Sequence, residues 1–215
     1  MISTQPNITD QTALEILHGA SELFMKYGVK SITMDEIARH LSVSKKTIYQ
    51  HFSDKDELVI TFTRFVLQQQ QGEISALEDK HIDVMEGLFG LSEFMRTKVC
   101  NINPSLLFDL KKYFPAAWKI FSDHKRNFLK NHVKNFIIRG VAEGYFRTNV
   151  DIEIISRMRM EQVEMCFNQD IFPAEEFGMS AIHIQLFEHF VYGICTIKGH
   201  EKLDTLYNKA KSTIK

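Results

Sequence analysis

Proline is scarce in this chain, 4 in 215 residues, and glycine little less so, at 10. Between these few breakers the apolar residues recur at intervals of three and four, so no sheet is expected and helices should run almost throughout. Cysteine is scarcer still. Cys100, Cys166 and Cys195 lie far apart, are odd in number and form no CxxC pair. That argues against a disulfide framework or a zinc knuckle and leaves buried reduced thiols as the expectation. None of the 9 histidines forms HxxxH, and His124 and His132 would stand about 12 Å apart along a helix, too far for one ion. No metal or other cofactor is therefore expected. No apolar run approaches the roughly 20 residues of a membrane span, and MISTQPNITD lacks the basic-then-apolar layout of a secretion signal. The chain reads as soluble and cytoplasmic, without a membrane partner. GxSxG, HExxH, P-loop and GxGxxG patterns are all missing, so an enzyme is not expected.

What is present suits a globular helical protein: 44% apolar residues, 25% charged residues and a net charge of -1. Ala13, Ile16, Leu17, Ala20, Leu23, Phe24 and Tyr27 form one stripe of a first helix, which should open at the capping-box pattern Thr12-Ala-Leu-Glu15 and stop at Gly28. A second capping box, Thr33 with Glu36, predicts a short helix from Met34 that buries Ile37, Ala38 and Leu41. After Ser42-Val43-Ser44, with Ser44 as N-cap, a third helix should run from Lys45 to about Phe52 and bury Val43, Ile48 and Phe52. Two short helices joined by a three-residue turn make a helix-turn-helix. Longer helices follow, over about 55–78, 82–101, 104–113, 115–142, 151–170 and 174–198, with a short tail helix after Gly199. The fold class is all-α: a three-helix helix-turn-helix domain over 1–55, then a larger helical domain over 56–215.

Residues 37–53 carry three cations, Arg39, Lys45 and Lys46, and no acid. Local positive charge in a nearly neutral chain suits a segment that meets DNA phosphates, because each neutralised phosphate releases counterions. The hydroxyls of Thr47 and Tyr49, the imidazole of His51 and the helix-start amides can hydrogen-bond phosphates and fix register. Spacing alone leaves a plain alternative, in which the lysines form a solvated face and Tyr49 and Phe52 belong to the core.

The segment resembles the N-terminal domain of the TetR family of transcriptional regulators over residues 10–60. Ala20, Phe24, Gly28, Thr33-Met-Asp-Glu-Ile-Ala38, Val43-Ser44-Lys45, Thr47-Ile48-Tyr49, His51-Phe52 and Lys55-Asp56-Glu57-Leu58 carry the likeness. The chain departs from the family pattern at Ser42, where the turn often has Gly, and at Lys46, where Gly often follows the first lysine. A left-handed Ser42 would cost about 1 kcal/mol. The resemblance implies phosphate contacts from Thr33, Tyr49, His51 and Lys55, with Lys45, Lys46, Thr47 and Gln50 nearest the base edges. It also implies a double-stranded DNA operator of palindromic or near-palindromic form, and a homodimer that a small-molecule effector releases from it. The alternative is a helical ligand- or partner-binding protein without specific DNA binding.

Phenylalanine makes up 17 of the 24 aromatic residues. On a TetR-like layout Phe62, Phe65, Phe89, Phe94, Phe108, Trp118, Phe121 and Phe128 are candidates to line an effector pocket, and such a lining suits an apolar ligand. The other reading is ordinary core. From Lys119 to Arg139 there are six cations and one acid, whereas Asp151 to Glu188 carries eight acids and two arginines. Either the two stretches are complementary solvated faces, or the first is a basic wall for an anionic ligand. By the resemblance, Ile155, Met158, Phe167, Leu186, Phe190 and Ile194 belong to a dimer interface formed by the last two long helices.

Overall fold

The computed structural model describes residues 10–80, 83–99 and 102–213, and Cys100 lies outside them. Among the described residues there are eleven α-helices and no strand, only an isolated antiparallel bridge between Phe146 and Cys195. The helices are α1 Gln11–Tyr27, α2 Met34–His40, α3 Lys45–His51, α4 Lys55–Lys80, α5 Val84–Phe94, α6 Leu106–Tyr113, α7 Pro115–His124, α8 Lys130–Ala142, α9 Ile152–Met165, α10 Met179–Ile194 and α11 Ile197–Thr213. π-helical segments occupy Met95–Val99, after α5, and Lys125–Leu129, before α8. No described helix is long and apolar enough to cross a membrane.

Several boundaries differ from the sequence reading. Asp10, and not the Thr12–Glu15 pair, caps α1, its carboxylate accepting from the Thr12 amide at 2.9 Å. The expected helix over 115–142 is interrupted by the π-helical segment, and α11 begins before Gly199. The expected helices 151–170 and 174–198 shorten to α9 and α10 because side chains between them take over backbone donors. Asn168 accepts from the Asp170 amide at 2.9 Å and Gln169 from that of Ala174 at 3.0 Å.

The described residues pack as two compact units: 10–70 with 102–124, and 71–80 and 83–99 with 125–213. This partition differs from the 55/56 division expected from the sequence, since the first unit takes in the start of α4 together with α6 and α7.

In the first unit Ile16, Leu17, Ala20 and Phe24 of α1 are buried with Ile37 of α2, Ile48 of α3 and Leu58, Val59 and Phe62 of α4. Phe24 meets Phe62 edge to face, with ring centroids 5.2 Å apart. The segment 102–109 closes over the end of α1: the Asn103 side chain donates to the Lys26 carbonyl at 3.0 Å, and buried Asp109 accepts from the Lys30 amide at 2.8 Å. Gly28 sits there at φ 82°, where a Cβ would lie 2.5 Å from the Ser105 hydroxyl, so glycine is required both by conformation and by space.

The core of the second unit is built by Val84, Met85 and Leu88 of α5, Phe136 and Ile137 of α8, Phe187, Phe190, Val191 and Ile194 of α10, and Leu203 of α11. Phe146 fills it from the connection after α8, lying so close to Gly140 that a Cβ there would meet its ring at 2.0 Å. Between α9 and the stretch formed by α8 and the π-helical segment before it, the complementary charges find each other. Lys130 and Lys134 both pair with Glu153, and Lys125 pairs with Glu161 and Glu164. Glu153, which also accepts from Arg157, is held down at about 2, chiefly by Lys134. The basic stretch is therefore engaged largely by the chain's own acids, which favours complementary faces over a basic wall.

Candidate nucleic-acid interface

The α2–α3 turn is made by a left-handed Ser42, φ 56°. Its amide bonds to the Arg39 carbonyl at 3.2 Å and that of Val43 to Ala38 at 3.0 Å, the paired bonds of a Schellman C-terminus. Both helices are capped by local side chains. Thr33 Oγ1 accepts from the Glu36 amide at 3.2 Å while the Glu36 carboxylate accepts from the Thr33 amide at 2.7 Å, completing the capping box. These bonds from Thr33 hold the Glu36 carboxyl below its ordinary range. Ser44 Oγ accepts from the Thr47 amide at 3.0 Å and lies 2.8 Å from Thr47 Oγ1.

Ile48, fully buried, and Phe52, at the C-terminus of α3, anchor the helix. Val43 and Leu41, expected in the core, are only half-buried. At about 100° per residue, Lys45, Lys46, Tyr49 and Gln50 fall within about 140° of arc. All four are exposed, Tyr49 to 44%. Anchoring one side of a two-turn helix thus presents cations, a phenol and an amide together on the other.

Three of the sequence-predicted residues, Lys45, His51 and Lys55, are committed within the chain. Lys45 Nζ lies 2.8 Å from Asp35 Oδ1, and this carboxylate raises its pKa. Lys46 is in no ion pair among the described residues. His51 Nδ1 lies 3.0 Å from Asp10 Oδ2, so one carboxylate caps α1 and orients the imidazole at the end of α3. Lys55 is half-buried, donates to the Lys30 carbonyl at 3.2 Å and stands 5.4 Å from the Phe114 ring centroid. Burial lowers its pKa against the opposing pull of Asp109. To reach a phosphate, Lys55 and Lys45 must each exchange a partner within the chain.

The eight aromatic pocket candidates are divided between the two units. In the first unit Phe62 packs on Phe24, Phe65 stands edge-on to His18, Trp118 lies against Phe121, and Phe108 is exposed beside Tyr113. In the second, Phe89 meets Tyr207, Phe94 packs on the core, and Phe128 stacks on His132. Phe62, 2% exposed, is a core residue. Of the dimer candidates, Phe167, Phe190 and Ile194 are buried within the chain itself, and Ile155 and Leu186 are half-buried. Met158 is exposed, with Ile154 one turn before it and Ile138 on α8 also exposed.

Sequence reasoning missed three ionisable residues that the fold buries: Asp109, Arg159 and His183. Arg159 lies beside Phe187 and Phe190, with its Cζ 5.4 and 5.6 Å from their ring centroids. Burial lowers its pKa to about 10. No local pattern marks these residues; α9 and its C-cap merely carry Arg159, Gln162 and Cys166 at helical spacing on the buried side. Cys166 and Cys195 are free buried thiols, pushed up by burial to about 11 and about 12.

Residues 16–61 match the bacterial regulatory proteins of the tetR family. The uncharacterized HTH-type transcriptional regulator YvaF of Bacillus subtilis is 33% identical over 89 residues, 41% of this chain and 47% of that protein. The chain thus spans about half the length of that relative. The HTH-type transcriptional repressor AcnR of Corynebacterium glutamicum is 27% identical over 141 residues, 66% of this chain and 72% of its own. Among solved structures, a transcriptional regulator from Saccharomonospora viridis in complex with choline superposes with a TM-score of 0.72 at 17% identity, covering 86% of this chain and 98% of that one. At that identity the likeness shows the fold.

Proposed function

We propose, from the premise that the chain belongs to the TetR family of bacterial regulatory proteins, that it is a homodimeric transcriptional repressor which binds double-stranded operator DNA through α3 and is released by a small-molecule effector. The observation that carries this reading is the exposed face Lys45, Lys46, Tyr49 and Gln50, held outward by buried Ile48 within the segment that matches the family. Lysines there supply phosphate neutralisation and can reach guanine O6 and N7, and the Thr47 methyl can pack on a thymine methyl. The same face weighs against a helical partner-binding protein without specific DNA binding.

A two-fold dimer matches a palindromic operator, since each recognition helix reads one half-site. Exposed Ile138, Ile154 and Met158 support a self-association surface on α8 and α9. An effector regulates such a dimer only by binding more tightly to a conformation that fits the two half-sites poorly.

The test is fluorescence anisotropy on operator fragments recovered by selection from genomic DNA, titrated with salt. Wild type should bind tightly and selectively with a steep negative salt slope. Lys45→Ala should flatten that slope by about 1, and Tyr49→Ala with Lys45→Ala should abolish selectivity. Equal, weak binding of wild type and double variant to every duplex would sink the reading.

A further inference from the structure

The interior of the second unit holds a guanidinium that no acid among the described residues answers. Arg159 is 5% exposed. Its Nη1 donates to Gln162 Oε1 at 3.3 Å and its Nη2 lies 3.9 Å from Met95 Sδ, a weak acceptor. Among the described residues no Asp or Glu pairs with it. The nearby α9 acids Glu153, Glu161 and Glu164 are bound to Lys130, Lys134 and Lys125. Cation–π contact with Phe187 and Phe190 offsets only part of the desolvation of a buried charge.

A second group is left in the same state. His183, on the buried side of α10, is also 5% exposed, and its Nε2 has no hydrogen-bond partner. Its ring stands edge-on to Phe167, and the positive charge of Arg159 reaches it. Two buried polar groups, neither matched by an anion, therefore sit on facing helices among aromatic rings. Met95, the sulfur partner of Arg159, opens the π-helical segment Met95–Val99, and π turns inside helices recur at functional sites.

We propose that the second unit binds a small apolar monocarboxylate, whose carboxylate pairs with Arg159 and accepts from His183 while its hydrocarbon body lies against Phe187 and Phe190. The planar fork of a guanidinium matches the two oxygens of a carboxylate. One buried positive charge selects a single negative one; a phosphate dianion would bring a second charge with nothing to meet it. Aromatic walls exclude polyols and sugars by leaving their hydroxyls unpaired. As an assignment of effector class the inference rests on the reading of the chain as an effector-released repressor, whereas binding itself does not depend on that reading.

The experiment is calorimetric titration of the full chain with octanoate, dodecanoate and phenylacetate, each beside its methyl ester. Arg159→Met and Arg159→Lys are run in parallel, with thermal melts of each protein. At least one acid should bind wild type roughly 30-fold or more tighter than its ester, and Arg159→Met should lose that preference. Without ligand, Arg159→Met should melt no lower than wild type, because an apolar side chain of similar length replaces a buried unpaired charge. The inference is overturned if no acid binds, if acid and ester bind alike, or if both variants bind the acid as tightly as wild type. Should Arg159→Met fail to fold, the comparison of acid with ester on wild type decides alone. The same acids are then added to the operator complex. Binding that leaves the DNA complex intact overturns the effector role, while a chain that binds the acid but no DNA overturns the repressor reading and leaves the site standing.

Discussion

Ser42 carries a conformational cost that glycine would not. A non-glycine residue in the left-handed region gives up roughly 1 kcal/mol, and Ser42 sits at φ 56° to close α2. Ser42→Gly should therefore stabilise the protein by at most about 0.5 kcal/mol once the extra freedom of the unfolded chain is set against the gain. A urea midpoint that falls would mean the serine hydroxyl contributes something the turn geometry does not show. Thr33→Ala should lower stability by about 1 kcal/mol through loss of the capping box. These positions were legible in the sequence because caps and turns are local chemistry, decided within three or four residues. Arg159, His183 and Asp109 were not, because whether a polar side chain is buried depends on which helices close over it.

At the scale of the element, α3 is a two-turn helix held at its ends by its neighbours. Ser44 caps it, Asp10 meets His51, and Asp35 of α2 holds Lys45. The Lys45–Asp35 pair is exposed and contributes little to stability, yet it places a carboxylate beside a lysine proposed to meet DNA. Asp35→Asn should leave the melting temperature nearly unchanged and tighten operator binding several-fold at low salt, an advantage that fades as salt rises. Weaker binding in that variant would instead make Asp35 a positioning residue for Lys45. Helix existence and the exposed face of α3 were readable from periodicity and from a stretch, 37–53, that carries three cations and no acid. The two π-helical segments were not, since a widened turn leaves the apolar spacing almost unaltered over five residues.

For the whole molecule, one half-buried and one buried imidazole, His124 and His183, set a direction of pH dependence. Burial holds His124 and His183 down to about 4, with Arg159 adding to the effect on His183. The unfolded chain takes up these protons near the ordinary histidine value of about 6.5, whereas the folded chain refuses them until about 4. The unfolded state therefore binds more protons in that window, so stability is highest above it and falls as the pH drops through it. Urea midpoints measured from neutral pH down to about pH 5 should decline, and less steeply in His183→Leu; parallel curves for the two proteins would remove His183 as a cause. Self-association is the other property of this scale. Met158→Glu should shift sedimentation towards the monomer if α8 and α9 carry the proposed interface. The sequence could not show how the chain divides, because the segment 102–124, far along the chain, packs with the helix-turn-helix through Asn103 and Asp109.

That clamp bears on how chains of this fold can be recombined. A chimera that joins the first 70 residues to a foreign ligand-binding body would strip the Lys30 amide of its buried acceptor and leave Gly28 facing an alien surface. A portable helix-turn-helix head must be transplanted as two pieces, with the stretch from Asn103 to Asp109 travelling beside it.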